Sequence, residues 1–247
     1  MAGVLRVGCA GWTLPPAVRD GFPAGASHLA RYARVFNAAE INSSFHRPHR
    51  PSTYERWAAS VPPGFAFSAK LPKAITHERR LADCEGPVRA FLDEAAGLGD
   101  QLQCLLVQLP PSLAFDEAVA ARFFDALAAR TDCPVALEPR HASWFEPVVD
   151  GWLAARRIAR VLADPVRHEA GRGPGGRQDL IYLRLHGSPR MYYSAYGEPM
   201  LRALARRIAL EIAEGHDVWC MFDNTAGQEA AGNALLLQRL LAQTNGG

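Results

Sequence analysis

The chain has 247 residues, of which 49% are hydrophobic and 21% are charged, the composition of an ordinary globular protein with a substantial core. A formal net charge of +2 gives no basic field of the kind that nucleic-acid-binding proteins carry. Five scattered cysteines without a Cys-x-x-Cys pair argue against a disulfide framework and a zinc site. No apolar run approaches the roughly 20 residues of a membrane span, and the first residues lack the pattern of a signal peptide. We therefore expect a cytoplasmic protein without a membrane partner.

Short apolar runs alternate with segments of helical periodicity along the chain. We predict strands near residues 5–10, 38–42, 65–70, 103–109, 134–139, 159–164, 180–186 and 217–223. We predict helices near residues 26–36, 51–60, 86–98, 116–130, 144–156, 197–214 and 227–242. Such alternation indicates parallel strands joined by crossovers, and eight units in about 250 residues have the size of a (β/α)8 barrel. The predicted fold is an α/β barrel of the TIM type, with residues 1–247 in one domain.

One predicted unit departs from the alternation. Residues 165–179, PVRHEAGRGPGGRQD, contain four glycines and two prolines, which disfavour a helix. We therefore predict an irregular barrel in which a glycine-rich loop replaces the sixth helix. Four polar residues at helix starts are predicted to act as caps. They are Ser27, Ser52, Asp116 and Ser143.

Polar residues collect at the carboxyl ends of seven of the eight runs. Glu138 and Arg140 share the parity of Ala136, so that all three can point to one face of a strand. The carboxyl ends of barrel strands are where enzymes of this fold place their sites. The other residues at such ends are Glu40, Asn42, Lys70, Gln108, Asp164, Arg184, His186, Asp223 and Asn224. We predict that six of these side chains converge on a single cavity, namely Glu40, Lys70, Glu138, Arg140, Arg184 and His186.

Three of these residues are candidates for proton transfer. Histidine titrates near neutral pH, which favours His186 as a proton carrier, and Glu40 is the second candidate. Glu138 is a weaker base, because a neighbouring arginine lowers the pKa of a carboxylate. It would either act as a base or orient Arg140. The alternative is that Glu138 and Arg140 form only a buried ion pair that closes the top of the barrel.

The cationic side chains predict a binding site for an anion. Arg140 can clamp a carboxylate or phosphate with two hydrogen bonds, and Lys70 and Arg184 would add to this site. The other residues predicted to bind substrate are Asn42, Trp144, Asp164, Tyr193, Asp223 and Asn224. The aromatic rings in this set could stack on a sugar or a base. The alternative for them, and the default for Trp144, is to plug the top of the barrel.

A divalent metal is the less favoured alternative. Glu40, Glu138, Asp164 and His186 come from four strand ends, and Mg²⁺ or Mn²⁺ accepts ligands of these types. Three cationic side chains would have to lie close to the same ion, which is electrostatically unfavourable. We therefore predict no metal site and no cofactor.

Seven motifs in order give the chain a resemblance to a known family. They are VGCAGW (7–12), EINSSFH (40–46), FAFSAKLPKAITHERRL (65–81), LLVQLPPS (105–112), EPRHASW (138–144), YLRLHG (182–187) and FDNTAGQEAAGNA (222–234). With them, the chain resembles the YecE-like family, domain of unknown function family 72, nearly from end to end. The resemblance implies a fold of the (β/α)8 type and a site at these motifs, without implying a reaction.

The function predicted from these residues is that of an enzyme acting on a small anionic substrate. The substrate would be phosphorylated or carboxylated and sugar-like, and the chemistry would be acid–base catalysis by a hydrolase, an isomerase or a lyase. The alternative is a non-catalytic accessory protein that binds a ligand or nucleic acid through the same pocket. The absence of a basic field favours the small ligand.

Overall fold

A computed structural model describes residues 2–244 of the chain. The strands are β1 (Leu5–Cys9), β2 (Ala38–Ile41), β3 (Ala66–Lys70), β4 (Leu102–Gln108), β5 (Val135–Glu138), β6 (Ile158–Arg160), β7 (Leu162–Asp164), β8 (Gly175–Gly176), β9 (Leu180–Leu185) and β10 (Asp217–Phe222). The α-helices are α1 (His28–Tyr32), α2 (Pro51–Ala59), α3 (Glu85–Ala95), α4 (Glu117–Ala128), α5 (Pro147–Ala155), α6 (Glu198–Ala213) and α7 (Ala230–Thr244). Each predicted strand and helix overlaps an observed one. In this part of the chain, no helix has both the length and the apolar character needed to cross a bilayer.

The strands form two hydrogen-bonded sheets, and the predicted closed ring of strands is not found. One sheet has the order β1-β10-β9-β7, and all of its strands are parallel. The other has the order β2-β3-β4-β5-β6-β8, in which only β8 runs antiparallel to its neighbour. The protein is therefore an α/β fold with two largely parallel sheets.

Side chains interrupt the hydrogen-bonded ladder between β1 and β2. A single parallel bridge joins these strands, beyond the end of β1. Before it, the Tyr32 hydroxyl accepts a hydrogen bond from Cys9 N at 2.7 Å and donates one to Ala38 O at 2.9 Å. Gly8 makes room for this arrangement, since an added Cβ would lie 1.9 Å from Ala38 O. A tyrosine from α1 thus takes the place of direct strand pairing.

The second boundary between the sheets lies inside residues 158–164, where the sequence predicts a single strand over 159–164. β6 pairs with β5, whereas β7 pairs with β9, so the chain changes sheet at Val161. Val161 N donates to Leu137 O, and His186 N donates to Asp164 O, each at 2.8 Å. One short segment therefore belongs to both sheets.

Alternate strand residues form an apolar cluster between the two sheets. Its members are Ala38, Ala66, Cys104, Leu106, Ala136, Ala159, Val161, Leu180, Tyr182, Trp219 and Met221. A larger cluster packs the helices against the other strand faces. Further along the same strands, charged residues follow members of this cluster at even spacing, so they share its face near the carboxyl ends. They are Glu40, Lys70, Glu138, Arg184 and Asp223. The inner face of these strands thus changes from apolar to charged along its length.

The segment between β7 and β9 contains no α-helix. Residues 165–179 form one turn of 3-10 helix at Glu169–Gly171 and the two-residue strand β8, in agreement with the predicted glycine-rich loop. Of the predicted caps, Ser27 and Asp116 accept hydrogen bonds from the first turns of α1 and α4. Ser52 and Ser143 do not cap helices, because α2 and α5 instead begin with a proline.

Candidate functional site

Arg184 lies at the centre of a buried cluster of charged side chains. Its Nε and Nη2 donate to the two carboxylate oxygens of Glu40 at 2.9 and 2.6 Å. Nη1 donates to Glu138 Oε2 at 2.5 Å, and Nη2 also donates to Asp223 Oδ2 at 3.0 Å. All four residues are at most 5% exposed. One guanidinium from β9 therefore holds three carboxylates that come from three other strand ends.

Glu40 is held from a second side by uncharged groups. The Tyr182 hydroxyl donates to Glu40 Oε2 at 3.0 Å and lies 2.7 Å from Ser68 Oγ. Both carboxylate oxygens of Glu40 thus have donors, and the side chain is completely buried. This arrangement suits a carboxylate that positions Arg184.

His186 has one ring nitrogen engaged and one without a hydrogen bond. Nδ1 lies 3.0 Å from Asp223 Oδ2. Nε2 lies 3.3 Å from Glu138 Oε1, but its alignment makes no hydrogen bond. Burial lowers the pKa of His186, and the negative charge of Glu138 and the hydrogen bond to Asp223 outweigh burial, so the pKa is raised. The imidazolium form of His186 is therefore favoured more than in a free histidine, and its Nε2 lies beside Glu138 Oε1.

The carboxylates around Arg184 remain ionised despite their burial. Burial alone would raise the pKa of the Glu138 carboxyl, but Arg184, His186 and Arg140 hold it well below its usual range. The pKa of Asp223 is lowered in the same way, mainly by Arg184 and His186 against the effect of burial. Both groups are thus anions that orient the cations, and neither is a ready proton donor.

Arg140 and Tyr192 cover the outer side of this cluster. Arg140 donates from Nη2 to Glu138 Oε1 at 3.0 Å and to the Tyr192 hydroxyl at 3.3 Å. The Tyr192 ring meets the His186 ring edge-on, with centroids 5.5 Å apart. The loop that follows β9 therefore contacts both the histidine and the arginine. A small cavity of about 20 Å³, lined by Glu138, Arg140 and His186 among others, lies beside them.

Lys70 is a cation of the cluster without a partner. Its Nζ lies 4.0 Å from the centre of the Phe45 ring, and among residues 2–244 it forms no ion pair, because the nearby carboxylates bind Arg184. Burial lowers the pKa of Lys70, Arg184 lowers it further, and the three carboxylates compensate only in part, which leaves it at about 8. Part of the lysine is therefore uncharged near neutral pH.

The family model described as "Protein of unknown function DUF72" matches residues 6–247. The chain belongs to the DUF72 family. The resemblance predicted from the sequence motifs is thereby confirmed.

Relatives of this DUF72 protein occur in Escherichia coli, Bacillus subtilis and Thermotoga maritima. It is 29% identical to the UPF0759 protein YecE of Escherichia coli (strain K12) over 65% of its chain, and it spans 59% of the length of that relative. It is 21% identical to the UPF0759 protein YunF of Bacillus subtilis (strain 168), with 96% and 95% of the two chains covered. A crystal structure of a DUF72 family protein from Thermotoga maritima is similar with a TM-score of 0.78 and 22% identity, covering 97% of this chain and 99% of that one. The last similarity shows a shared fold.

Seven of the twelve residues predicted for the site of the DUF72 protein lie together. They are Glu40, Lys70, Glu138, Arg140, Arg184, His186 and Asp223. The parity of each strand places them on the inner face, and the parallel direction of the strands places them at one end. The other five predicted residues have different surroundings.

Trp144 and Tyr193, both predicted to bind substrate, lie outside the cluster. Trp144 is 1% exposed, donates from Nε1 to Leu113 O at 2.9 Å and packs against Phe115. It belongs to the core, which was the alternative interpretation. Tyr193 is 47% exposed and stacks on Arg190 at the surface.

Asp164, Asn224 and Asn42 make no hydrogen bond to the cluster around Arg184 within the described part of the chain. Asp164 Oδ1 accepts a hydrogen bond from Tyr196 at 2.8 Å. Asn224 Nδ2 donates to Ser194 O at 3.0 Å, which fastens the loop after β9. Asn42 follows β2, and its Oδ1 is buried without a hydrogen-bond partner. The first two residues hold loop 187–197 in place, and none of the three contacts Arg184.

Three residues of the site were missed by sequence reasoning. Tyr182 and Ser68 share the parity of Arg184 and Lys70, so the alternation within their strands could have identified them. Tyr192 could not be chosen over its neighbour Tyr193, because the loop is irregular and Tyr192 has a φ of 68°. That backbone conformation turns the two adjacent tyrosines towards different surroundings.

The cluster does not fit the alternative of a divalent metal. The Arg184 guanidinium occupies the space between the three carboxylates that a cation would need. Asp164, one of the predicted ligands, is bound to Tyr196 instead. Within residues 2–244, no group of three metal-ligating atoms forms at these strand ends.

The two aromatic residues give a direct test of these assignments. Trp144→Ala is expected to lower the free energy of unfolding by roughly 3–5 kcal/mol, because a buried ring and its hydrogen bond are lost. Tyr193→Ala is the matched control, with an expected loss below about 1 kcal/mol. Urea denaturation of the two variants measures both values. Equal losses would show that the two rings have been assigned wrongly.

Proposed function

We propose that this DUF72 protein is an enzyme that acts on a small anionic substrate at the carboxyl ends of its strands, by acid–base chemistry. The observation that carries the proposal is a set of cationic N–H donors without acceptors. Lys70 Nζ makes no hydrogen bond with the described residues, and Arg140 engages only Nε and Nη2. His186 Nε2 also lacks a hydrogen bond, although it is sealed from solvent beside Glu138, so the substrate would have to displace part of this covering to reach it. A phosphate or carboxylate would supply the acceptors that these donors lack.

The charge balance of the site supports an anionic ligand. Three carboxylates face three permanently or mostly charged cations, and protonation of His186 adds a further positive charge. The positive charges also act on His77, whose pKa is lowered first by burial and then by Lys70 and Arg140. A phosphorylated or carboxylated, sugar-like molecule would neutralise this excess.

His186 is the proton carrier of the proposed enzyme. Asp223 holds a proton on Nδ1, so that Nε2 donates or accepts the transferred proton. Glu40 and Glu138 then serve as positioning residues, because Arg184 engages both. This arrangement changes the role first predicted for Glu40 from proton transfer to orientation.

The fold supports a site that is shielded from water. We propose that the two sheets enclose their inner cluster as an irregular barrel, since one segment is shared by both sheets and Tyr32 joins the other boundary. The site would then lie at the carboxyl-terminal mouth, where barrel enzymes bind their substrates.

Binding is tested by measuring thermal stabilisation with inorganic phosphate, ribose 5-phosphate, glycolate and nucleotides. We expect one or more anions to raise the melting temperature of the wild type. Arg140→Ala is expected to weaken binding about 10–100-fold, which corresponds to a lost charged hydrogen bond. Arg190→Ala removes an exposed charge from the loop after β9 and should bind like the wild type. Affinity is expected to fall as the pH rises through the raised pKa of His186, because its positive charge is lost.

Turnover distinguishes the enzyme from a binding protein. A ligand found in this way should be converted to a product, and His186→Asn should reduce the rate by roughly 10²–10⁴-fold when measured at ligand concentrations that saturate the variant. Recovery of the ligand unchanged would favour the non-catalytic alternative. Binding of single-stranded nucleic acid that weakens steeply with salt, without stabilisation by small anions, would contradict the small-substrate proposal.

A further inference from the structure

We infer that Lys70 is a nucleophilic amine that forms a Schiff base with a carbonyl group of the substrate. The inference rests on the proposed function, and it narrows the substrate class to small aldehydes or ketones that carry a phosphate or carboxylate. Such a role would make Lys70 a catalytic residue with chemistry different from that of His186.

The surroundings of Lys70 are unusual for a lysine. Lysine side chains are seldom buried unless they are paired, yet Lys70 is 6% exposed and its Nζ packs on the Phe45 ring without an ion pair. The carboxylates that could pair with it are held by Arg184. Because Nζ makes no hydrogen bond and is still absent from the sealed, unpaired polar atoms, a small part of its surface remains open to solvent. A small aldehyde would reach the amine through this opening.

The charges around Lys70 favour the reactive form of the amine. Its pKa of about 8 results first from burial and then from the positive charge of Arg184. About one molecule in ten then carries a neutral amine at pH 7, whereas an ordinary lysine is almost entirely protonated. Enzymes that form Schiff bases activate lysine in this way, by desolvation and by a neighbouring cation.

The proposed reaction conserves atoms and charge. The neutral amine attacks the carbonyl carbon, an N–C bond forms, and a proton moves from nitrogen to oxygen to give a carbinolamine. The hydroxyl then takes up a proton and leaves as water, so that an ammonium and a carbonyl yield an iminium and one water. The iminium keeps the positive charge of the ammonium. Glu40, Glu138 and Asp223, which stabilise the charged lysine, stabilise the iminium equally.

The protein contains its own control for this reaction. Lys70 and Lys73 are its only lysines, and Lys73 is exposed, with its Nζ 3.1 Å from Glu78. Wild-type protein is incubated at pH 7 with glycolaldehyde phosphate or with glycolaldehyde, reduced with borohydride, and analysed by peptide mass spectrometry. We expect the reduced adduct on Lys70 to exceed that on Lys73 at least about tenfold with glycolaldehyde phosphate. In urea the two lysines should react alike, because the fold no longer lowers the pKa of one of them.

The outcomes separate this inference from the proposed function. If glycolaldehyde phosphate labels Lys70 in strong preference to Lys73 and glycolaldehyde does so only weakly, the result supports both the Schiff-base inference and the proposed function. Equal preference with the two aldehydes supports the reactive lysine and contradicts selection of an anion at the site. Equal labelling of Lys70 and Lys73 in the folded protein overturns the Schiff-base inference, and anion binding measured by thermal stabilisation then still decides the proposed function. Lys70→Met should retain the adduct on Lys73, its one remaining lysine, and lose the preferred adduct.

Discussion

Arg184→Leu is expected to lower the free energy of unfolding by roughly 3–5 kcal/mol at pH 7, because it leaves uncompensated charges buried. The guanidinium is fully buried and hydrogen-bonds with Glu40, Glu138 and Asp223. Without it, three carboxylates would face one another in a site that excludes water. Chemical denaturation in urea, with unchanged slope, measures the loss.

The pH dependence of this loss has a definite sign. In the wild type, the lowered pKa values of Glu138 and Asp223 contribute stability that is lost as the pH falls through these folded values. In the variant, the unpaired carboxyls take up protons more readily when folded, so the variant gains stability as the pH falls. The difference between the two proteins should therefore shrink from pH 7 towards pH 4. A difference independent of pH would contradict the charge argument.

Two further variants test whether buried charge causes the loss of stability. Arg202→Leu removes an exposed arginine that pairs with Glu198 on α6, and its expected effect is within about 0.5 kcal/mol. Combining Arg184→Leu with Glu40→Gln and Glu138→Gln should recover part of the loss, because fewer charges remain buried. A triple variant less stable than Arg184→Leu alone would show that charge is not the main cause.

Lys70→Met is expected to have the opposite effect and to stabilise the protein by roughly 1–3 kcal/mol at pH 7. The shift of the Lys70 pKa from 10.5 to about 8 corresponds to a cost of about 3 kcal/mol for holding the charged form in the fold. Methionine has a similar length and carries no charge. Lys73→Met, at the exposed pair with Glu78, is the control and should change stability by less than about 0.5 kcal/mol.

The sign of the pH effect again identifies the cause. Between pH 8 and 10.5 the unfolded wild type binds a proton at Lys70 that the folded protein does not, so wild-type stability rises with pH in this range. The advantage of Lys70→Met should therefore be largest below pH 8 and disappear near pH 10.5. A variant that is less stable than the wild type at pH 7 would show that the ammonium is favourably bound. A lysine that lowers the stability of the fold and is nevertheless retained is expected at a functional site.

The sequence by itself determined the secondary structure and most of the charged cluster. Hydrophobic periodicity fixed the alternation of strands and helices, and the glycines and prolines of residues 165–179 excluded the sixth helix. The alternation of side chains along a strand placed Glu138 with Ala136 on one face, and Arg184 with His186 on one face. These are local properties of the chain, set by strand geometry and by backbone preferences, so they can be read without knowing which strands are neighbours.

Only the tertiary structure decided how these pieces pair. The closed ring expected from the strand count is replaced by two sheets, because the hydroxyl of Tyr32, a residue of α1, bridges β1 and β2 and because the chain changes sheet at Val161. The choice of Tyr192 over Tyr193 depends on one backbone angle in an irregular loop. The competition of three carboxylates for Arg184, which leaves Lys70 without a partner, depends on distances between residues far apart in the chain. Such long-range contacts follow from packing, and no local pattern in the sequence encodes them.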